Sequence, residues 1–526
     1  MSIFSRISLL LLPLLCACSF YEYTPADDSA DDPTSSTLPT EKYINLSIVV
    51  SSGNEGTTRA NPNGGEEGDG REDGTQRENL VTGITLIFYQ DPDNKGLNTT
   101  SDDAKIEIIK HYPVSRTTAT NDGERDEAFY STGEQPIGSD FNLNAKYHVI
   151  AVANWDLTQE DEFQVGKTIK GIRDHLTATI YSGSGIGIDA VNFVMSLEKD
   201  YTIDFSKIEP EKNGNKLVYN IEKGIHIERL AARVDFWMKG ATYNGDRKGY
   251  VYNVEGESGD EFVLTAVTPF NLYSGGEYLF KRITGDASKD WSNGDDVTYL
   301  GDERVTTPET PYNYVLDPYT YSKTANTVPS DNNTTSPGYM MADYALDNFL
   351  KTSGSTYESK KQLLAELLSS TMQNESPKSS YTEGSETGDN IIICYPKENT
   401  LWTKTPLYYY ATGLCIEGYY YKKSTGTSEK LIYYGFLRHQ GEQSSGSYSM
   451  ETGKSLEEVR TKLQNNENIL KGSFPMNFGV VRNNIYRISI DKITERGDKE
   501  EPEKPGITWR IMVKNWDVFK HETIFM

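Results

Sequence analysis

The sequence predicts a mainly β protein, two β-rich domains in tandem with a few short helices, and three observations carry that prediction. Apolar residues recur every second position in many short runs, the period of a strand with one buried face. Tyrosine (35) and glycine (44) are abundant, which suits sheets joined by turns better than helix bundles. A chain of 526 residues has room for two full-sized cores, and the polar break Ala241 to Asp246 divides the patterned runs into 60–240 and 241–526.

Met1 to Ala17 carries one positive charge, at Arg6, and an apolar run broken by Ser8 and Pro13. The run is shorter than the roughly 20 residues that cross a bilayer, so residues 1–17 read as a secretion signal. They lead into Leu15-Cys16-Ala17-Cys18, an order that resembles a bacterial lipobox, and the resemblance implies Cys18 as a diacylated anchor. The Asp/Ser/Thr/Pro-rich residues 19–40 offer no core to join and read as a solvated tether. From Tyr43, the residues Ile44, Leu46, Ile48 and Val50 alternate with Asn45 and Ser47, which predicts a half-buried strand. Arg59-Ala60 follows in a Gly/Asn/Thr linker, the kind of segment where proteolytic nicking concentrates. On pattern alone, an arginine there for solubility is the plainer reading.

Within 60–240, strands are expected at Leu80 to Tyr89, Ala104 to Tyr112 and Tyr147 to Trp155, the last apolar on both faces and therefore central. Ile169, Ile172 and Leu176 have helical spacing within Val165 to Ala178. Strands return at Asn192 to Ser196 and Ile225 to Met238. In the latter, Ala231 and Ala232 allow close backbone packing beside Arg229 and Arg233, which read equally as an ionic latch or as two solvated edge charges.

Within 241–526, strands are expected at Phe262 to Phe270, Tyr278 to Ile283, Asn390 to Tyr395, Leu407 to Tyr421 and Lys430 to Arg438, with a polar surface stretch over Asp286 to Pro337. The stripe Leu363, Leu364, Leu367, Leu368 predicts a helix over Glu358 to Met372, and Ser455 with Glu458 forms a capping box for another over Leu456 to Leu470. Val480 to Ile490 and Ile507 to Met526 are the closing strands. Ile507, Trp509, Ile511 and Val513 share one face before the apolar side passes to Trp516 and Val518, a change of phase that a bulge near Asn515 would explain. An apolar strand at the end of a chain must pair with something.

The formal charge of −25 repels nucleic acid and anionic lipid, which excludes both as partners. Cys394 and Cys415 remain once Cys16 leaves with the signal and Cys18 takes lipid; they form a disulfide or two separate buried thiols. The histidines at 111, 148, 175, 226, 439 and 521 lack metal-ligand spacing. Gly183-Ser184-Gly185-Ile186-Gly187 reads as a turn, not a phosphate loop. Lys95 stands where a calcium loop through Asp91, Asp93, Gly96 and Asp102 needs an oxygen ligand. The tyrosine clusters at 408–410, 419–421 and 433–434 could stack on sugars but more often fill a sheet. No catalytic constellation emerges, so neither an enzyme nor any metal or cofactor is expected.

Several scattered segments share one resemblance: Val-Val-Arg-Asn-Asn-Ile-Tyr (480–486), Asn-Trp-Asp-Val-Phe (515–519), Ile-Glu-Arg-Leu-Ala-Ala-Arg-Val (227–234), Ile-Tyr-Tyr-Gly-Phe-Leu (432–437), the lipobox and Thr-Arg-Ala (58–60). In this order they are similar to the fimbrillins, pilins of the type V pili of Bacteroidales, and to shaft subunits of the minor-fimbrium type. The resemblance covers Cys18 to Met526. It implies two transthyretin-like β-sandwich domains and a lipidated propeptide over 18–59, carried to the outer membrane. It further implies an Arg-specific protease that cuts at Arg59-Ala60, with Arg71 and Arg77 as other candidate sites. The removable strand would be Ile44, Leu46, Ile48 and Val50, and the donor strand Ile507, Trp509, Ile511, Val513, Trp516 and Val518. Partners would be further copies with tip and anchor subunits, in an extracellular fimbria supporting adhesion. The alternatives are a tip or accessory adhesin and a monomeric glycan-binding surface lipoprotein.

Overall fold

A computed structural model describes residues 41–50, 71–98, 104–117, 128–256, 259–284, 297–299, 314–320, 340–349, 356–369, 378–401, 410–437, 445–446, 448–449, 479–494 and 506–517. Over these residues the protein is mainly β, with several sheets and a few short helices. The first sheet runs, in spatial order, Ile108–Pro113, Gly83–Tyr89, Lys146–Ala153, Met195–Leu197, Lys216–Arg229, Glu41–Val50, Ala128–Ser131 and Ser115–Thr117. Lys146–Ala153 lies between two neighbours and is buried from Tyr147 onward, as its two apolar faces require.

A second sheet runs Arg71–Asp73, Gly506–Asp517, Asn484–Thr494, Arg233–Trp237, Glu386–Cys394 and Lys378–Glu383. A third runs Thr242–Asn244, Gly249–Asn253, Glu261–Phe270, Gly413–Lys422, Thr427–Phe436 and Tyr448–Ser449. Val234, Phe236, Ile488 and Trp509 of the second pack with Phe262, Leu264, Ile416 and Tyr433 of the third in one core, a sheet-on-sheet sandwich. Ile392, Tyr395, Ile485 and Trp516, also from the second sheet or its end, belong instead to the core of the first sheet. The second sheet is therefore apolar on both faces.

The strand expected over Ile225 to Met238 is two strands. Lys216–Arg229 belongs to the first sheet and Arg233–Trp237 to the second, with the chain crossing at Leu230–Ala232. There the backbone leaves both ladders: Leu230 N–H donates to Val194 O, Ala232 N–H to Pro396 O, and Ala231 O accepts from Asn483 N–H. The expected helix over Glu358 to Met372 is also broken, into Thr356–Lys360 and Leu364–Ser369. Between them Gln362 bonds both Val267 N–H and the Thr268 hydroxyl, and Leu363 bridges Ala266, so the strand Glu261–Phe270 takes the backbone groups a helix would have used. Tyr278 to Ile283 likewise divides, Glu277–Tyr278 pairing with Leu176–Thr177 and Arg282–Thr284 with Val297–Tyr299. The helix expected over Leu456 to Leu470 lies outside the described residues. Among the described residues no helix is long and apolar enough to cross a membrane.

Candidate functional site

Glu41–Val50 is an interior strand, parallel to Lys216–Arg229 on one side and antiparallel to Ala128–Ser131 on the other. Ile44, Leu46, Ile48 and Val50 are completely buried, while Asn45 and Ser47 reach the surface between them. Asn45 bonds Asn220 and Ser131 across its two neighbours, and Leu46 N–H donates to the Thr132 hydroxyl. The register against Lys216–Arg229 slips between Leu46 and Ile48, and Gly224 sits in the slip. A Cβ at Gly224 would lie 2.5 Å from Val49 Cγ2, so the absent side chain makes room for this strand. Burying these four aliphatic side chains stabilises the seat by on the order of 10 kcal/mol. Without the strand, two backbone edges and an apolar floor would face water.

Gly506–Asp517 is packed in its own chain. It is antiparallel to Asn484–Thr494, and its outer edge pairs with Ser445–Gly446 near one end and Arg71–Asp73 at the other. Ile507, Trp509, Ile511 and Val513 face the sandwich core and Trp516 faces the opposite core. Trp516 stacks on Tyr395 at 5.7 Å between ring centres. The bulge expected near Asn515 is absent: Asn515 pairs in register with Asn484, and the slip lies at Asp491 instead. The change of phase arises because both faces of the strand are covered. Trp509 lies on Gly435, where any Cβ would overlap its indole ring.

Where the two cores meet, the end of this strand rests on a buried cluster of arginines. Arg233, 4% exposed, pairs with Asp235 at 2.7 Å, Glu72 at 2.6 Å and Glu78 at 3.2 Å. Arg487 pairs with Asp235 at 2.9 Å and with Glu72, and donates to Asn390. Arg229 donates to Trp516 O at 3.1 Å, Asn483 Oδ1 at 3.0 Å and Glu78 O at 3.0 Å, and its guanidinium lies over the Trp516 ring. Burial alone would lower the Arg233 pKa, but Asp235, Glu78 and Glu72 outweigh it and hold the guanidinium well above its ordinary value. Burial likewise raises the Asp235 carboxyl while Arg233 and Arg487 bring it below the carboxylate range. Arg233 and Arg487 thus share three carboxylates, and removing a single partner would leave buried charge undercompensated.

A second cluster titrates differently. Arg482, fully buried, pairs with Glu398 at 2.8 Å and Glu277 at 3.3 Å. Burial pushes the Glu277 carboxyl from 4.5 up to about 8; Arg482 opposes the rise and Glu398 adds to it. A carboxyl whose folded pKa is raised keeps its proton longer in the folded state than in the unfolded one. Its ionisation therefore removes stability as pH climbs through that window. Glu277→Gln, which cannot ionise, is expected to gain on the wild type by on the order of 1–3 kcal/mol between about pH 5 and 8. Urea unfolding of both proteins at each pH checks this; parallel pH profiles would contradict it.

The residues singled out by sequence fall unevenly across the structure. Cys18, Arg59, Ala60 and Val518 lie outside the described residues. Arg71 begins the strand paired with Asn515–Asp517, and Arg77 donates to Ile188 O at 3.0 Å. Arg229 and Arg233 are buried, Arg233 in ion pairs and Arg229 in hydrogen bonds, and neither is a solvated edge charge. Cys394 and Cys415 are separate buried thiols, which burial pushes up in pKa. Asp91 accepts from the backbone N–H groups of Asp93, Lys95 and Gly96, as a turn does. Ser184 is tied to Asp189 within the glycine-rich turn. Among the described residues no group of three or more His, Cys, Asp or Glu could hold a metal ion. Glu72, Glu78, Asp235, Gly435 and Arg487 escaped the sequence reading; the glycine flanked by Tyr434 and Phe436 was the one local signal of a ring seated on a strand.

No protein-family model and no curated protein matches the chain. Among solved structures, a candidate cell adhesion protein from Parabacteroides distasonis is 13% identical, over 91% of this chain and 100% of that one, with a TM-score of 0.38. The fimbrilin FimA from Porphyromonas gingivalis is 14% identical, over 92% and 99%, with a TM-score of 0.35. The tip fimbrial protein Mfa3 of the same organism is 9% identical, over 90% and 100%, with a TM-score of 0.35. Likenesses of this size leave the functional reading to the chain's own residues.

Proposed function

We propose that this protein is a structural subunit of a cell-surface fimbria, exported as a lipoprotein precursor and polymerised by strand exchange after an Arg-specific cut. One observation carries the reading: Glu41–Val50 is an interior strand offering four core side chains at two-residue spacing, and Gly506–Asp517 repeats that pattern with Ile507, Trp509, Ile511 and Val513. A strand removed from there leaves a groove that a second copy's C-terminal strand matches in length and phase. Main-chain hydrogen bonds would supply affinity and alternate side chains specificity. If about 500 Å² of apolar area is buried, the gross gain is on the order of 12 kcal/mol before ordering costs. The donor gives up a comparable packing in its own sandwich, so exchange is near balance and the vacated groove tips it. Such a head-to-tail contact does not close and propagates a filament. Arg71 and Arg77 are held in a ladder and by a backbone carbonyl, which favours Arg59 as the cut.

The full packing of Gly506–Asp517 on its own chain supports a second reading, a subunit that never donates: a tip adhesin, or a lipid-anchored glycan-binding protein. Digestion of the precursor with an Arg-specific protease separates them. The first reading expects a new terminus at Ala60 and ladders on an unboiled gel that vanish when the chain is truncated after Gly506. A cut without ladders, or no cut, would overturn it in favour of the second.

A further inference from the structure

Residues 71–79 contact four strands that have no sequence proximity to them. Arg71–Asp73 pairs in parallel with Asn515–Asp517, the end of the C-terminal strand. Glu72 reaches Arg233 and Arg487, and Glu78 reaches Arg233 and the Tyr395 hydroxyl, whose ring stacks on Trp516. The backbone carbonyl of Glu78 accepts from Arg229, which also bonds Trp516 O. Two of the three carboxylates that pair with Arg233 and Arg487 therefore come from this one short segment, and Asp235 supplies the third. Withdrawing the segment would leave the Arg233 and Arg487 guanidinium groups sharing the Asp235 carboxylate and would take from Arg229, which lies over the Trp516 ring, its bond to the Glu78 carbonyl.

We propose that residues 71–79 are a charge-balancing clasp that keeps the C-terminal strand retracted, so that a subunit becomes an acceptor before it can become a donor. This rests on the strand-exchange reading. A cut at Arg59 removes Glu41–Val50 and opens the groove, yet it leaves the clasp covalently attached and the C-terminal strand held. Donation then requires a second event that lifts Glu72 and Glu78 out of the cluster, such as docking of the next subunit. The order protects a newly processed subunit from displaying an apolar strand before a groove is at hand.

Hydrogen exchange followed peptide by peptide tests this on the full chain, on the chain cut at Arg59, and on the full-length Glu72→Gln/Glu78→Gln variant. The cut is expected to raise exchange in 216–229 and leave 507–516 protected. The variant is expected to raise exchange in 507–516 about ten-fold while 83–89 and 146–153 keep their protection. Exchange in 507–516 that the variant leaves unchanged, or that the cut alone releases, would overturn the clasp. Should the double variant fail to fold, Glu72→Gln, at a carboxylate 19% exposed, carries the same comparison. Exchange is read on monomers, so the two ideas fail separately: a loosened 507–516 without ladders sinks strand exchange and keeps the clasp, whereas ladders with an insensitive 507–516 do the reverse.

Discussion

Asp235→Ala is expected to lower the unfolding free energy by about 3–5 kcal/mol, the cost of leaving buried charge without its partner. Asp235 is fully buried and accepts from Arg233 at 2.7 and 2.9 Å, Arg487 at 2.9 Å and Asn390 at 2.9 Å. Glu72 also touches both arginines, but from the edge strand Arg71–Asp73, whereas Asp235 lies on an interior strand of the second sheet. Urea unfolding measures the change, with Asp389→Ala as a control for removing a carboxylate that a tyrosine hydroxyl partners. A loss below about 1 kcal/mol would mean that the arginines are solvated in solution and that the cluster is not the joint between the two cores.

Gly435→Ala is expected to unseat the C-terminal strand while sparing the first sheet. Its Cβ would occupy the space of the Trp509 indole, and the neighbouring Gly435 carbonyl lies against Gly413, so neither backbone can give way cheaply. Overpacking of this kind costs typically 1–3 kcal/mol, and more where a ring has no other rotamer to take. The near-ultraviolet signal of Trp509 should weaken and amides of 507–513 should lose protection, with 83–89 unaffected. Combining Gly435→Ala with Trp509→Leu should recover part of the loss, because the smaller side chain vacates the overlap. A Gly435→Ala protein with wild-type stability would show that Trp509 does not rest on this glycine.

Much of the architecture was legible because burial on one face writes a two-residue period into a strand. Ile44, Leu46, Ile48 and Val50 announced their inward face, and Tyr147 to Ala153 announced a strand covered on both sides. Where the reading failed, a distant partner had decided the local structure. The leucine stripe from 363 to 368 has helical spacing, but Glu261–Phe270 captures the backbone at Gln362 and Leu363 and splits the helix. The change of phase before Trp516 suggested a bulge because the sequence does not show that a second core covers the other face. Glu72 and Glu78 sit in a Gly/Glu/Asp-rich segment with the composition of a solvated linker. Their burial depends on Arg233 and Arg487, which are far along the chain, and composition carries no trace of such a pairing. Arg229 and Arg233 stood out beside the small residues Ala231 and Ala232, yet whether Arg233 was latched or solvated rested on those same distant carboxylates.

The central claim is that one copy's C-terminal strand fills the groove that another copy's first strand leaves. Cross-linking between copies tests it most directly: Asn220→Cys, on the strand beside that groove, is mixed with Arg510→Cys, on the donor strand, and a short bis-maleimide is added before and after Arg-specific digestion. The account predicts a cross-link joining residues 220 and 510 of different copies that forms only after the cut. Polymers that form without that cross-link, or a cross-link that forms equally in uncut precursor, would contradict it.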